Sequence, residues 1–264
     1  MFFKAQLIFT RDKFEIDMDD SKNFNSKNRK SISKMSKDKE LQRLSKEWFL
    51  LSHKYEYSYH FTWLGRPIIQ FPHDMIAIQE LIWKVKPDLI IETGIARGGS
   101  LILSASILEM IGKGEVLGID LDIREHNRKE IENHPLFKRI TIFEGSSVDK
   151  KILSKVKTFV SNKKKIMVFL DSNHTHEHVL EELKNYSSLV NKGSYIVVFD
   201  TVIEDMPKDW LKEQGIDRPW NKNNNPKTAV YEFLKKNKRF KIDSTIQKKL
   251  LITTAPDGYL KCIK

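Results

Sequence analysis

The chain of 264 residues has very little cysteine and no long apolar run, and each shortage excludes a class of protein. Cys262 is the only cysteine, so no disulfide can form within the chain and no cysteine-based metal site can exist. No apolar run approaches the roughly 20 residues that a bilayer-spanning helix needs. The opening MFFKAQLIFT lacks the leading basic segment and the small-residue cleavage site of a signal peptide. We therefore expect a cytoplasmic protein, with peripheral membrane contact left open.

Positive charge is in excess, with a formal net charge of +11, but it is unevenly distributed. Residues 1–54 carry 13 Lys or Arg against 8 Asp or Glu, and residues 205–264 carry 14 against 7. The central residues 55–204 are close to neutral, with 19 against 20. A specific nucleic-acid reader more often concentrates its basic residues on one face, among aromatic residues. The distribution argues against a specific nucleic-acid partner, whereas attraction to an anionic membrane or a polyanionic glycan stays open.

The N-terminal third differs in composition from the rest of the chain. The stretch from residue 17 to residue 40 is polar and rich in Ser, Asn and Lys, so we expect residues 1–40 to form a weakly ordered lead-in. Residues 41–87 predict a helical N-terminal cap, with apolar residues at helical spacing in its first half and a second helix closed by Pro87. Between these helices, FTWLGRPIIQFPHD predicts a loop, because glycine and proline interrupt it. Residues 88–264 form the main domain.

From residue 88 onward, short apolar runs alternate with helical patterns. Such runs are typical of strands buried on both faces of a parallel sheet, and the alternation predicts an α/β sheet with helices on both faces. The predicted strands are DLIIET, EVLGID, RITIFEG, KIMVFLD and GSYIVVFD. The end of the chain, FKIDSTIQKKLLITTAPDGYLKCIK, predicts two further strands with a short connection, as an antiparallel hairpin at one sheet edge.

Acidic residues lie at the carboxyl ends of the predicted strands, where open parallel sheets bind their ligands. These acids are Glu92, Asp120, Glu144, Asp171 and Asp200. A single acid in such a position is also a common helix cap, so each of them taken alone has a structural explanation. Taken together, they predict a ligand site at this edge of the sheet.

A glycine turn lies between the first two of these acids, with the spacing Gly94-x-x-x-Gly98-Gly99. It matches neither the G-x-G-x-x-G of dinucleotide folds nor the Gly-Lys-Ser/Thr ending of a P-loop. The flanking acids disfavour a polyphosphate and favour a ligand with a cationic centre and a ribose. S-adenosylmethionine (SAM) has both, although the pattern alone leaves NAD open. The residues expected to contact the cofactor are Glu92, Gly94, Ala96, Gly98, Ser100, Asp120, Ser146 and Asp171.

Several longer motifs resemble the cephalosporin hydroxylase / rhamnosyl O-methyltransferase family. They are YHFTWLGRPIIQFPHDM, IIETGIARGGSLILSA, DSNHTHEHVLEEL, GSYIVVFDTVIEDMP and NNPKTAVYEFL, and the likeness covers roughly residues 45–262. The resemblance implies the Rossmann-like class I SAM-dependent methyltransferase fold: doubly wound and mostly parallel, with seven strands and an antiparallel last strand. It also implies methyl transfer to a sugar hydroxyl, in a bacterial glycan, lipopolysaccharide, glycolipid or antibiotic. A deoxysugar or hexose acceptor and a homo-oligomer are implied as well.

The stretch DSNHTHEH holds three histidines, of which His174 lies in the turn after Asp171. Because a helix begins near Glu177, residues two apart do not share a face, and a three-histidine metal site is disfavoured. We expect His176 and His178 to be helix-start or surface residues.

O-methylation of a sugar benefits from a general base and from a divalent cation that lowers the pKa of the hydroxyl. Asp171 and Asp200, which end adjacent strands, are suitable ligands for Mg²⁺. The resemblance implies Mg²⁺ on these two acids and His174 as the base. The chain departs from the family pattern at Phe199, where relatives carry an acid, so whether a metal binds stays open. Glu204 or Asp205 could take the place of that acid as a metal ligand.

The segment RPWNKNNNPKTAV predicts either an exposed loop or a lid over the acceptor. As a lid, Trp220 would stack on the apolar face of a sugar and Asn225 would bond to its hydroxyls. Apolar residues of the cap, among them Trp48, Phe49 and Leu51, predict a surface for homo-oligomer formation.

Two rival functions remain at this point. A non-haem iron hydroxylase would use Asp171, His174 and one further histidine as metal ligands. A SAM- or glycan-binding protein would keep the fold without turnover.

Overall fold

The computed structural model describes residues 13–213, 215 and 217–264, with side chains from residue 20 onward. In this part of the chain the α-helices are α1 (Lys13–Met35), α2 (Lys39–His53), α3 (Pro72–Val85), α4 (Gly99–Ile111), α5 (Glu125–Glu132), α6 (Lys150–Phe159), α7 (His176–Tyr186), α8 (Trp210–Glu213), α9 (Pro226–Lys236) and α10 (Ser244–Leu250). The strands are β1 (Phe61–Trp63), β2 (Arg66–Ile68), β3 (Leu89–Thr93), β4 (Glu115–Asp120), β5 (Ile140–Glu144), β6 (Ile166–Leu170), β7 (Tyr195–Val198), β8 (Phe240–Ile242) and β9 (Tyr259–Cys262). None of these helices combines the length and apolar character needed to span a bilayer.

Seven strands form one sheet in the order β5-β4-β3-β6-β7-β9-β8. The first five strands in this order are parallel to one another, whereas β9 runs antiparallel to both β7 and β8. The chain moves outward from β3 through β4 to β5 and then returns to β6 on the other side of β3. The strand order therefore reverses between β3 and β6, which opens a ligand crevice at their carboxyl ends. This confirms the predicted doubly wound, mostly parallel sheet.

Two hydrophobic cores lie on the two faces of the sheet, because successive side chains of a strand point to opposite sides. In β6, Met167 and Phe169 face the core that α3 and α4 cover. Val168 and Leu170 face the second core, which α6, α7 and α9 cover. Helices on both faces explain why all five residues of β6 are buried and why its sequence is a continuous apolar run.

A small hairpin, β1–β2, occupies the segment for which glycine and proline predicted a loop. Its strands pair antiparallel, with Trp63 opposite Arg66. Leu64 and Gly65 form the turn between them, at φ 45° and 86°. Two successive residues with positive φ are typical of the turns that match the twist of paired strands. The loop prediction is therefore wrong here, and the hairpin leads directly into α3.

The polar stretch from residue 17 to residue 40, expected to be weakly ordered, is largely helical in the structure. Here α1 continues to Met35 and contacts α10, and α2 begins directly after Asp38, whose carboxylate accepts a hydrogen bond from the backbone N–H of Leu41 at 3.0 Å. The first twelve residues of the predicted lead-in lie outside the described part.

The connection between the last two strands is longer than predicted, because α10 lies between them. The antiparallel pairing of β8 with β9 is as predicted. Buried residues of α3 belong to the same core as β6, so the structure shows the N-terminal cap in contact with the sheet. The domain boundary before residue 88 stays a prediction.

Candidate functional site

A cleft lies at the carboxyl ends of β3, β4, β6 and β7, where two cavities meet. The Asp120 cavity, of about 790 Å³, is lined by residues that include Gly94, Asp120, Ser146 and His178. The His174 cavity, of about 860 Å³, is lined by residues that include Gln70, Asp171, His174 and Asp200. Both volumes are typical of small-molecule sites. The lining residues shared by the two cavities are Tyr59, Ile69, Gly94, Ala96, Arg97, Asp171, Ser172, Arg218 and Trp220.

The glycine turn forms the floor of the cleft and is held by Asp120. One carboxylate oxygen of Asp120, Oδ2, accepts hydrogen bonds from the backbone N–H groups of Ile95 at 2.7 Å and Ala96 at 3.2 Å. Among the described residues, the other oxygen has only a long contact of 3.4 Å, from the N–H of Asp122. Asp120 therefore fixes the turn with one oxygen and lines the cavity.

The glycines are required first by close packing of the chain on itself. A Cβ on Gly94, which has φ 86°, would lie 2.1 Å from the carbonyl oxygen of Asp171. A Cβ on Gly98 would lie 2.5 Å from a methyl group of Ile131, and Gly98 does not line the cleft. Gly94 and Ala96 lie where the sequence predicted a cofactor contact, whereas Gly98 faces the protein interior.

Glu92 lies behind the glycine turn rather than in the cleft. Its side chain is 2% exposed and accepts a hydrogen bond from the hydroxyl of Ser100, which does line the His174 cavity. Burial raises the pKa of Glu92 to about 8. Its second oxygen has no hydrogen-bond partner among the described residues. The side chain of Glu92 therefore holds Ser100 at the cavity wall, and a direct contact of Glu92 with the cofactor stays a prediction.

Three side chains that could hold a metal ion meet at the ends of β6 and β7. Ligand atoms of Asp171, His174 and Asp200 lie within 4.8 Å of one another. His174 Nε2 lies 3.1 Å from Asp200 Oδ2. Gln70 donates a hydrogen bond of 3.2 Å from Nε2 to Asp171 Oδ2. Two carboxylates and one imidazole form a suitable ligand set for a divalent cation that prefers oxygen ligands.

The electrostatics of this cluster also favour a bound cation. Burial, together with the negative charge of Asp200, raises the pKa of Asp171 well above its ordinary value. A positive charge between Asp171 and Asp200 would offset this repulsion. Within the described residues the cluster contains a single histidine, so the ligand set of the iron hydroxylase rival, with two histidines, is not present.

Glu204 and Asp205, considered as replacements for the acid that is missing at Phe199, both bind other residues. Phe199 is buried and packs against Phe169, with ring centroids 6.4 Å apart. Glu204 accepts hydrogen bonds from the backbone N–H of Asn223 at 2.8 Å and from the side chain of Asn225 at 2.6 Å. Asp205 forms an ion pair with Lys227 at 2.6 Å. Neither acid lines the cleft, so the suggestion that one of them completes the metal site is wrong.

Trp220 lines both cavities, as expected of a residue that contacts an acceptor. Its ring packs edge-on against His174, with centroids 4.8 Å apart, and the Arg218 guanidinium lies 5.5 Å from its centre. Asn225, the other predicted acceptor residue, is fully buried and caps α9. Its Oδ1 accepts from two backbone N–H groups, and its Nδ2 donates to Glu204 and to the carbonyl of Asn221. Because its side chain has no free polar group, the prediction for Asn225 is wrong.

The cap contributes cleft residues that were not predicted. Gln70, Tyr59 and Phe49 line the His174 cavity. Phe49, expected on an oligomer surface, is 5% exposed and stacks on Phe71 with centroids 4.9 Å apart. Trp48, in contrast, is 40% exposed. Leu44 and Leu51 on the same helix are also exposed. Gln70 belongs to the motif YHFTWLGRPIIQFPHDM, which was part of the family resemblance. That resemblance was the only sequence signal that pointed to Gln70.

Known relatives place the chain in a family. The family model described as Rhamnosyl O-methyltransferase/CmcI matches residues 55–263. The Rhamnosyl O-methyltransferase of Mycobacterium bovis (strain BCG / Pasteur 1173P2) is 32% identical over 149 residues, which are 55% of this chain and 59% of the relative. That of Mycobacterium leprae (strain TN) is 29% identical over 148 residues, with 55% and 62% covered. The chain thus covers less than two thirds of these relatives' length.

Solved structures share the fold. A CmcI structure with Mg and SAM aligns with a TM-score of 0.52 and 18% identity, over 78% of each chain. The apo structure of CmcI aligns with a TM-score of 0.54 and 18% identity, over 78% of this chain and 77% of that one. Together with the seven-stranded sheet order, this likeness confirms the class I SAM-dependent methyltransferase fold. With four fifths of its length matched by the family model, the chain belongs to the rhamnosyl O-methyltransferase/CmcI family.

Proposed function

We propose that the protein is a SAM-dependent O-methyltransferase that acts on a sugar hydroxyl. The observation that carries this proposal is that Asp120 and the glycine turn open into the same cleft as the cluster of Asp171, His174 and Asp200. Methyl transfer to a hydroxyl requires a site for the methyl donor, and it benefits from a general base and a cation beside it. The curated relatives, named rhamnosyl O-methyltransferases, support the same activity.

The Asp120 cavity suits SAM in charge and in hydrogen-bonding groups. SAM, when bound, supplies an electrophilic methyl group on a positively charged sulfur. The free oxygen of Asp120 can accept from ribose hydroxyls, and Ser146 offers a further hydroxyl on the cavity wall. Asp171, at the junction of the two cavities, adds negative charge near the place where a cation would lie.

His174 is the residue proposed to take the proton of the acceptor hydroxyl. Its side chain is 14% exposed and is held between Asp200 and Trp220. A base held in this way is positioned before the substrate arrives, which lowers the entropic cost of the reaction. The imidazole would take this proton as the acceptor oxygen bonds to the methyl group of SAM, whose sulfur–methyl bond breaks to leave S-adenosylhomocysteine.

Mg²⁺ is proposed as a second component, held by Asp171 and Asp200. A divalent cation there would lower the pKa of the acceptor hydroxyl and orient it. One of the CmcI structures that share the fold is a complex with Mg and SAM. Trp220 supplies the flat apolar surface on which the face of a deoxysugar or hexose can stack.

The setting of the enzyme is proposed from its surface. Leu44, Trp48 and Leu51 lie on one side of α2 and are 47%, 40% and 50% exposed, so we infer a homo-oligomer that covers them. The free thiol of Cys262 is buried, which is compatible with a reducing cytoplasm. A glycan or glycolipid acceptor is the proposed partner, and the basic flanks would favour contact with an anionic membrane surface.

The test is a methyl-transfer assay with isotopically labelled SAM and a panel of rhamnosides and hexosides, in the presence of Mg²⁺. We expect label in at least one glycoside with the wild-type protein and a large loss of label with His174→Ala. His176→Ala is the matched control, because His176 contacts Thr228 and Glu232 on α9 instead of the cleft. Absence of SAM binding would contradict the proposal. SAM binding without transfer to any acceptor would favour a non-catalytic binding protein.

A further inference from the structure

At the wall of the Asp120 cavity, four polar side chains from three parts of the chain form a network that the proposed reaction does not use. Ser147 follows β5, Ser172 follows β6, and His178 and Glu182 lie one turn apart on α7. Glu182 is fully buried, and its Oε1 accepts hydrogen bonds from Ser147 at 2.6 Å and from Ser172 at 2.8 Å. His178 was expected at the surface, but its Nε2 lies 3.1 Å from each serine oxygen.

For an ionised Glu182 and a neutral His178, these contacts determine where the protons lie. A carboxylate only accepts hydrogen bonds, so each serine hydroxyl must direct its single proton to Glu182. The serine oxygens are then acceptors toward His178, and Nε2 must carry a proton in order to bond to them. In the neutral ring, Nδ1 is left as the acceptor.

The same geometry excludes a hydrolytic triad. In such a triad the serine gives its proton to one ring nitrogen and the acid holds the other. Here both serine protons point to the acid, and Glu182 lies on the Nε2 side of the ring, at 3.5 Å. The network therefore fixes the tautomer and orientation of His178 instead of activating a nucleophile.

His178 presents this fixed ring to the cleft. Its side chain is 19% exposed, and it lines the Asp120 cavity together with both serines. No hydrogen bond to its Nδ1 is found among the described residues, and this nitrogen is not one of the buried atoms without a partner. The wall of the cavity thus offers an imidazole acceptor at a defined place.

We propose that His178 is a specificity-determining residue that accepts a hydrogen bond, through Nδ1, from the exocyclic 6-amino group of the cofactor's adenine. The inference rests on the proposed function, in which Asp120 contacts the ribose. The base attached to that ribose would then lie in the same cavity, whose further lining includes Asp122, Ser146, Ser147 and His178. A 6-amino group is a donor and matches Nδ1, whereas the oxygen of a 6-oxo purine would face another acceptor.

The experiment compares two ligands that differ only at this position, S-adenosylhomocysteine and S-inosylhomocysteine, by calorimetric titration. We expect wild-type protein to bind the adenine compound at least about 10-fold more tightly, because the wrong base leaves polar groups unpaired. His178→Ala should lose this preference by weakening the adenine compound while leaving the affinity for the inosine compound nearly unchanged. His176→Ala, on the same helix but directed toward α9, should keep the wild-type ratio.

Glu182→Gln tests the same idea without removing the ring. A glutamine amide can donate to one of the serines, so a serine hydroxyl becomes free to donate to Nε2 and the ring proton moves to Nδ1. The preference should then shift toward the 6-oxo compound. An unchanged ratio in both variants, or equal weakening of both ligands, would show that His178 only supports the structure. If the wild-type protein binds neither ligand, the proposed function itself fails.

Discussion

The buried carboxyl of Glu92 leads to a quantitative prediction about how stability depends on pH. Glu92 lies behind the glycine turn, and burial raises its pKa to about 8, against 4.5 for a solvated glutamate. One of its oxygens lacks a hydrogen-bond partner among the described residues, as suits a protonated carboxyl. In Glu92→Gln, the amide oxygen can still accept from Ser100, and the side chain no longer titrates.

The direction of the effect follows from proton binding. Between pH 4.5 and about 8, the folded protein binds one more proton at Glu92 than the unfolded chain does, so this group stabilises the fold less as the pH rises. Each pH unit within that window is worth about 1.4 kcal/mol at most, or about 5 kcal/mol over the whole window as an upper bound. The Glu92→Gln variant does not lose this stabilisation. Its free energy of unfolding should therefore increase relative to that of wild type as the pH rises.

The assay is urea unfolding of wild type and Glu92→Gln at pH 5, 6.5 and 8. We expect the difference in free energy of unfolding to move in favour of the variant by a few kcal/mol from pH 5 to pH 8. Glu125→Gln, which removes a carboxylate that is 79% exposed on α5, is the matched control. A difference that stays constant across these pH values would refute the argument that Glu92 is protonated in the folded state.

Three further predictions concern the catalytic side chains, the metal and the assembly. His174→Ala should lower kcat by about 10²–10⁴ in the methyl-transfer assay, while SAM affinity measured by calorimetry stays nearly unchanged. A chelator should abolish turnover but not SAM binding, and Mg²⁺ should restore activity to wild type but not to an Asp200→Asn variant. Light scattering of the wild-type protein should report a mass above the 31.0 kDa of a single chain. Trp48→Glu, on the exposed side of α2, should yield monomer. A monomeric wild-type protein would contradict the inferred assembly.

The central sheet could be predicted because its signal is local. Each parallel strand is buried on both faces, so β3 and β6 appear in the sequence as continuous apolar runs that end in an acid or just before one. Since parallel strands end at the same edge, the acids Asp120, Asp171 and Asp200 could be assigned to one cleft before the structure was known.

The hairpin and the first helix could not be predicted in the same way. The strands β1 and β2 have three residues each, and their turn is Leu64-Gly65 instead of a strong turn pair such as Asn-Gly. Helix α1 has few apolar residues, and it contacts α10, a segment more than 200 residues away in the sequence. Contacts of that kind leave no local pattern.

Within the site, the sequence predicted well which residues lie near the cleft. It predicted poorly which partners their side chains contact. Asn225 looked like a polar group available to a ligand, but its partner is Glu204, 21 residues earlier. His178 looked like a surface residue of a helix start, but its partner Ser147 is 31 residues earlier. The direction of a polar side chain depends on its tertiary partner, and a single sequence does not contain that pairing.

Calorimetric titration with S-adenosylhomocysteine, with and without Mg²⁺, tests the central claim most directly. Asp120 holds the glycine turn with one oxygen and presents the other to the cavity. We predict that wild-type protein binds the ligand and that Asp120→Ala weakens binding by roughly 1.5–3 kcal/mol, because charge-assisted hydrogen bonds to the ribose are lost. Equal affinity of the variant and wild type, or no binding by either, would contradict the assignment of this cleft as a SAM site.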